Sequence, residues 1–393
     1  MYAELIMRNE PLFPLISYLL PKQRKYNFKL KIDMKNFEHF SVNWVEGMNI
    51  NASHFIDTEN FFLERLAKIT SISFNNLYGA LPNSLLSPSD IEIQPIGDNA
   101  RIILKKYYGI CPNGFPIFFD ENNTTKVSCT TEHISVTPFH NSWYIVLSIA
   151  PYQRENFGTP NPNEYPLRFP YTQPPLQLRI LNKQDEALHN PFSVIIGALT
   201  KEKKQDFSID THYIPPALSM DAYISLRAYT QGFLRNLDAI TRAAKYIITK
   251  ITTQPHPNTV AQNIFTLCQE PLKYLYTCDF STSYYSSLLS PLQVYQKIKE
   301  LAGTLLSSLF CIHNKDKEEL FKYFQEWNGY MPFSLEQLLQ DFYTQKYEHN
   351  HLQNSMEGIH NLLEHLKNLL TTLSQLENIG KHRESIVISE AKY

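Results

Sequence analysis

Histidine clustering is the first feature of this sequence that could do chemistry. Four histidines lie near the C-terminus, at His349, His351, His360 and His365. A metal site on one helix face needs two histidines about four residues apart, whereas the successive spacings here are two, nine and five residues. The pattern therefore predicts solvated histidines and no metal site.

The cysteines give no signature of catalysis or of a disulfide framework. They stand at Cys111, Cys129, Cys268, Cys278 and Cys311, an odd number with no CxxC pair. No local motif such as Gly-x-Ser-x-Gly frames a nucleophile. We expect reduced thiols, as in a cytosolic protein, and neither an enzyme nor a bound cofactor.

Composition excludes some further classes. The chain has 393 residues, a net charge of -2 and 43% hydrophobic residues, which is long enough for two or three domains and gives no overall field that would favour nucleic acid. The apolar run 12–20 contains Pro14 and follows Glu4 and Glu10, unlike a signal peptide. No run reaches the roughly 18 apolar residues of a membrane helix.

The first half of the chain reads as a β domain. Short stretches with the period of a strand alternate with turn signals such as Pro112-Asn113-Gly114. Many short strands at close spacing predict an antiparallel sandwich or barrel-like domain over residues 1–212, with one helix near 52–70. The predicted strands are 28–32, 91–97, 101–111, 115–119, 133–136, 143–150, 176–181, 193–199 and 207–212.

A proline-rich segment interrupts the predicted strands. Residues 156–175 contain six prolines, so this segment lacks many of the N–H donors that a β-ladder requires. Two interpretations stay open: a long surface loop, or an arm that grips a neighbouring subunit.

The second half reads as helical. After Pro215-Pro216 the β pattern stops, and helices are predicted over 213–380, followed by a polar tail at 381–393. Two helices carry apolar seams at spacings of three and four residues, which suit side-by-side helix packing. We expect other helices of a trimerising bundle to cover these seams. The seam residues are Phe233, Leu237, Ile240, Ala244, Ile247 and Ile251, and Leu362, Leu366, Leu369, Leu373 and Leu376.

The segment 41–65 predicts a short strand followed by a helix. Val42 and Trp44 alternate at the period of a strand, and Asn51 is a suitable N-cap for the helix. At this corner we expect a buried Trp44, a turn at Gly47, and a bond from His54 to a strand carbonyl. The motif here reads Trp-x-Glu-Gly-Met-x-Ile-x-x-x-His-Phe, and its defining residues are Trp44, Glu46, Gly47, His54 and Phe55.

This motif resembles the opening motif of the TssK family, the baseplate adaptors of the bacterial type VI secretion system. The family has Pro-Gln before His-Phe, where this chain has Ala52-Ser53. Three further likenesses follow in the same order. They are the turn from Gly109 to Gly114, which contains Pro112; the Pro215-Pro216 junction; and Ser290-Pro291 with Leu301-Ala302-Gly303. The turn could cradle a phosphate, but no Lys-Ser/Thr follows it.

The resemblance implies a structural role without catalysis. TssK-like proteins are homotrimers in which a β shoulder docks on a wedge of TssF, TssG and TssE, and central helices form a trimeric bundle. A further head domain contacts a membrane complex, and no segment of that size follows Ile379 here. We therefore expect an indirect membrane link and a location in the bacterial cytoplasm, at the baseplate near the inner membrane. The alternative is a receptor- or carbohydrate-binding module of a phage-like contractile tail.

Overall fold

The computed structural model describes residues 37–82, 89–122, 126–134, 141–201, 206–277, 288–329 and 334–383. The strand predicted at 28–32 and most of the polar tail lie outside these residues. The chain divides into two compact units, Met1–Glu64 and Arg65–Tyr393. Helix α1, Ala52–Ser73, begins in the first unit and ends in the second.

The start of α1 agrees with the sequence, but the strand before it does not. The Asn51 side chain accepts a hydrogen bond from the Ser53 N–H at 3.0 Å, and His54 Nδ1 accepts one from the Asn51 N–H at 3.3 Å. This is a reciprocal cap with histidine in the third position of the helix. The strand predicted at Ser41 is wrong, because residues 39–45 have no regular secondary structure. Four alternating residues are too weak a signal without a pairing partner.

Among the described residues, the β region of the second unit contains three antiparallel sheets. In the first sheet, β3 is central and pairs with β1, β2, β4 and β5. The second sheet has the strand order β11-β10-β6-β9. In the third sheet, β7 pairs with β8. The strands are β1 Gly79–Ala80, β2 Ser89–Ile96, β3 Asn99–Ile110, β4 Pro116–Asp120, β5 Val127–Thr130, β6 Ser142–Ile149, β7 Glu155–Phe157, β8 Tyr171–Gln173, β9 Leu176–Asn182, β10 Ser193–Thr200 and β11 Ser208–Ile209.

The two larger sheets share one core. Alternate side chains of β3, such as Ile102 and Leu104, are buried in the same cluster as Trp143, Ile145 and Leu147 of β6. Two sheets that bury facing sides against each other form a sandwich. The sandwich prediction is therefore confirmed, and the described strands do not close into a barrel.

Two of the predicted strands differ from the strands in the structure. Of the strand predicted at 133–136, residues 133 and 134 are not in a strand, and residues 135 and 136 lie outside the described residues. Of the strand predicted at 207–212, only β11, Ser208–Ile209, is a strand in the structure. The proline-rich segment is not wholly irregular, because β7 and β8 pair at its two ends through Glu155–Gln173 and Phe157–Tyr171.

The rest of the described chain is helical, which confirms the α+β class. Among the described residues, no helix combines the length and the apolar composition that a membrane span needs. The helices are α2 Ile224–Thr252, α3 Thr259–Thr277, α4 Pro291–Phe310, α5 Asn314–Asn328, α6 Ser334–Thr344 and α7 Leu352–Gln375.

Both predicted seams are covered inside a single chain. The α2 seam from Phe233 to Ile251 and the α7 seam from Leu362 to Leu373 are buried in one cluster, and Leu376 packs on it partly buried. Helices of the same chain therefore cover these residues, and the expected trimer stays a prediction. The long helix α2 covers its apolar face with α7 and α3 of its own chain.

A charged side chain placed in the α2 seam should strongly destabilise the protein. Leu237 is buried in the bundle cluster, so Leu237→Asp places an unpaired carboxylate in an apolar core and should unfold the bundle. Circular dichroism melting of the purified protein measures this. Gln231→Asp, at an exposed position of the same helix, is the matched control and should melt like the wild type. A Leu237→Asp protein that keeps its melting temperature but loses mass in light scattering would place the seam between subunits instead.

Candidate functional site

The described residues bring no metal-binding cluster together. Among them, no three His, Cys, Asp or Glu side chains are arranged to hold a metal ion. The four C-terminal histidines lie in two different parts of the structure. His360 and His365 lie on α7, where His365 is exposed, whereas His349 and His351 precede the helix.

The sequence prediction for His349 is wrong, since this histidine is not solvated. Its Nε2 lies 2.7 Å from the carbonyl oxygen of Tyr78, and its Nδ1 lies 2.8 Å from the hydroxyl of Tyr347. A carbonyl oxygen only accepts, so Nε2 carries the hydrogen and Nδ1 accepts from Tyr347. Burial lowers the pKa of His349, and the bond to the Tyr78 carbonyl partly opposes this shift.

Three tyrosines of the β region hold the same loop. Tyr78 donates its hydroxyl to the Asn350 side chain at 2.7 Å, and Tyr213 donates to the Asn350 carbonyl at 2.8 Å. The Tyr144 hydroxyl lies 3.2 Å from His351 Nε2. We call this set, with His349, the tyrosine–histidine junction. It joins the sandwich to the loop between α6 and α7, and it was not predicted from the sequence.

The motif residues of the first unit lie at the surface. Trp44 is 49% exposed, and its ring contacts the rings of His54 and Phe55 with centroids 6.0 and 6.2 Å apart. Phe55 and Glu46 are exposed as well. The expected core tryptophan is therefore half exposed, and its truncation should cost less than the roughly 3–5 kcal/mol typical of a buried aromatic.

Gly47 forms the expected turn, and its backbone conformation is what requires glycine. The Met48 N–H donates to the Val45 carbonyl at 3.3 Å, and Gly47 has a φ of 77°. A Cβ added to Gly47 would meet open space. Its requirement is thus the left-handed backbone and not close packing. His54 serves the helix cap and makes no bond to a strand.

The motif turn at Gly114 packs directly on α1. Its N–H donates to the Cys111 carbonyl at 2.9 Å, and Asn113 accepts from the Phe115 N–H at 3.2 Å, as expected for a tight turn. Gly114 has a φ of 91°, and a Cβ there would overlap the carbonyl oxygen of Ala67. This turn therefore fixes α1 on the sandwich through the small residues Ala67 and Ser71. The neighbouring Pro112 is partly buried.

The Pro215-Pro216 junction is buried and joins the sheet edge. The Ala80 N–H donates to the Pro216 carbonyl at 2.9 Å, and the Leu218 N–H donates to the Ala80 carbonyl at 2.9 Å. A third bond, from the Met220 N–H to the Leu289 carbonyl at 2.9 Å, reaches the residues before α4. The motif thus connects the sandwich to the helical bundle.

The last motif starts and packs a bundle helix. Ser290 and Gln293 form a capping box at the start of α4, with Pro291 as the first helical residue. Gly303 lies in mid-helix, where an added Cβ would come within 3.0 Å of the Tyr343 ring on α6. Helix α6 therefore approaches α4 closely at Gly303.

The chain resembles known proteins in its structure, whereas its sequence gives no match. No protein-family model matches the sequence, and no curated protein matches it. A chain from the baseplate complex of the type VI secretion system superposes with a TM-score of 0.55 at 14% identity, over 84% of this chain and 70% of that one. A crystal structure of TssK gives 0.53 at 16% identity, over 83% and 69%.

This chain has the TssK fold. A third similar structure, TssK from the type VI secretion system of EAEC in complex with nanobody nb18, gives a TM-score of 0.50 at 17% identity, over 80% of this chain and 98% of that one. The TssK likeness drawn from the sequence motifs is therefore confirmed at the level of the fold. Within that fold, the motif residues serve mainly as caps, turns and junctions.

Gly114→Ala should destabilise the sandwich more than an ordinary glycine replacement. It introduces both left-handed strain and an overlap with the α1 backbone. Gly97→Ala is the matched control, because Gly97 has a φ of 58° in the β2–β3 turn but open space around it. We expect about 1–2 kcal/mol for Gly97→Ala, from strain alone, and a larger loss for Gly114→Ala, both measured by urea unfolding. Equal losses would show that the turn does not fix α1.

His349 predicts a pH-dependent stability. Because its pKa is lowered in the folded protein, the unfolded chain binds the proton first as the pH falls. The free energy of unfolding should therefore decrease as the pH falls below the unfolded value of about 6.5. His349→Gln should flatten this slope between pH 7.5 and pH 5.5, whereas the exposed His365→Gln should not. Thermal melting at the two pH values measures it, and an unchanged slope in His349→Gln would contradict the assignment.

Proposed function

We propose that this chain is a structural adaptor subunit of a type VI secretion system baseplate. The observation that carries the proposal is the TssK fold over most of the chain, shared with a chain of a type VI baseplate complex at a TM-score of 0.55. The order of the four sequence motifs also supports it. The first motif ends at the start of α1, and the other three occupy defined positions in the sandwich, in its connector to the bundle and in the bundle.

A non-enzymatic role fits the chemistry of the described residues. The half-buried His349 is engaged in hydrogen bonds on both ring nitrogens, and burial raises the pKa of the Cys111 and Cys268 thiols to about 12. Thiols with raised pKa values are poor nucleophiles near neutral pH. Among the described residues, no observation favours the alternative of a carbohydrate-binding module.

The proposed assembly is a homotrimer that docks on a baseplate wedge through its β region. Its proposed partners are TssF, TssG and a TssE-like protein, with an indirect link to a membrane complex at the cytoplasmic face of the inner membrane. Because the bundle seams are covered within the chain, the trimer must form through other surfaces. The exposed large apolar side chains of the β region and of α1 are the candidates for these contacts.

Co-expression with TssF and TssG from the same organism tests the proposal. Tagged full-length protein should copurify TssF and TssG, and light scattering should give three times the chain mass of 45.8 kDa. A chain that retains no wedge protein under these conditions contradicts the adaptor role. A chain that binds the wedge with a monomer mass supports the adaptor role and rejects the trimer.

A further inference from the structure

Helix α1 has its large apolar side chains on the outside. In its C-terminal half, the small residues Ala67 and Ser71 are buried against the sandwich. Leu66 and Ile69 are each 60% exposed on the other side, and Ile72 is 50% exposed. A surface helix normally turns its large apolar residues toward the core. We call Leu66, Ile69, Ile72 and the exposed Phe74 that follows them the α1 stripe.

The ribbon β7–β8 ends in a second exposed apolar element. Between the two strands, residues 158–170 form a loop in which Tyr165 is fully exposed and Leu167 is 63% exposed. Phe169 and Tyr171 are exposed as well. We call these four side chains the arm tip.

The loop that carries the arm tip is suited to binding with little loss of conformational entropy. Four of its loop residues are prolines, whose fixed φ limits the conformations of the free loop. The Arg168 Nε contacts the Glu164 carboxylate at 2.9 Å, which pairs the two charges of the loop with each other. A preorganised loop with paired charges and exposed aromatic side chains has the composition of an interface anchor.

We propose that the arm tip of one copy of this chain docks on the α1 stripe of a second copy. Both surfaces are apolar, and neither contributes a charged side chain to the contact. One chain carries one tip and one stripe, so a contact between copies covers both surfaces at once. Such a head-to-tail contact closes into a ring when its rotation permits, which a trimer requires.

The area is compatible with a specific contact. Aromatic side chains bury ~150–250 Å² each, so the three aromatic side chains of the tip, together with Leu167, supply on the order of 500 Å². A stable interface buries about 800 Å² on each partner. The tip and its flanking proline residues thus provide most of one contact. The inference rests on the proposed homotrimer and specifies which surfaces form it.

Disulfide trapping between two differently tagged full-length chains tests the docking. One chain carries Ile69→Cys or Leu66→Cys and the other carries Leu167→Cys or Phe169→Cys, which gives four pairings. Cys278 and the exposed Cys311 are replaced by serine in both chains, and the buried Cys111 and Cys268 and the partly buried Cys129 remain. We expect a cross-linked dimer containing both tags in at least one pairing after mild oxidation, and none when Gln231→Cys on α2 replaces the stripe cysteine.

Each other result rejects the docking. A trimeric mass in light scattering without a mixed cross-link in any pairing would overturn it while leaving the proposed function intact. Cross-links formed by Ile69→Cys chains alone would show that the stripe packs on itself. A monomeric mass would reject both the trimer and the docking. Since all four positions are exposed, thermal melting should match the wild type, which excludes unfolding as the cause.

Discussion

The connector between the sandwich and the bundle is the constraint on which the rest of the second unit depends. Residues 214–220 are buried, and a buried backbone must find hydrogen-bond partners because no water can serve them. β1 supplies two partners through Ala80, and Leu289 supplies a third. These bonds tie the sheet edge and the start of α4 to one segment, so neither the sandwich nor the bundle can shift without breaking them. The adjacent prolines limit the conformations of this segment further.

The tyrosine–histidine junction reinforces the same connection at a second place. Tyr78, Tyr144 and Tyr213 reach from the β region to residues 349–351, which lie before α7. Hydrogen bonds of this kind are directional, so they fix an orientation more closely than apolar contact does. Two separate attachments between sandwich and bundle hold their relative orientation better than one, which suits the proposed adaptor role.

Most of the architecture was predictable, because it depends on periodicity and on helix-start signals. The strands β3, β6 and β10 are rich in β-branched and aromatic residues, and the Ser290-Pro291 start signal predicted α4 directly. The exposure of Trp44 and the burial of His349 were not predictable. Each depends on which distant residue approaches it, and residue type alone does not specify that. The seams of α2 and α7 show the same limit: their spacing predicts helix packing but not whether the partner helix belongs to the same chain.

The burial of both seams within one chain separates folding from association. Helices that must pair between chains fold only as they associate, so their stability depends on protein concentration. Here each chain covers its bundle core alone, and a newly made subunit can complete that core before it meets another copy. In the proposed assembly, subunits would therefore join or leave as folded chains, without unfolding.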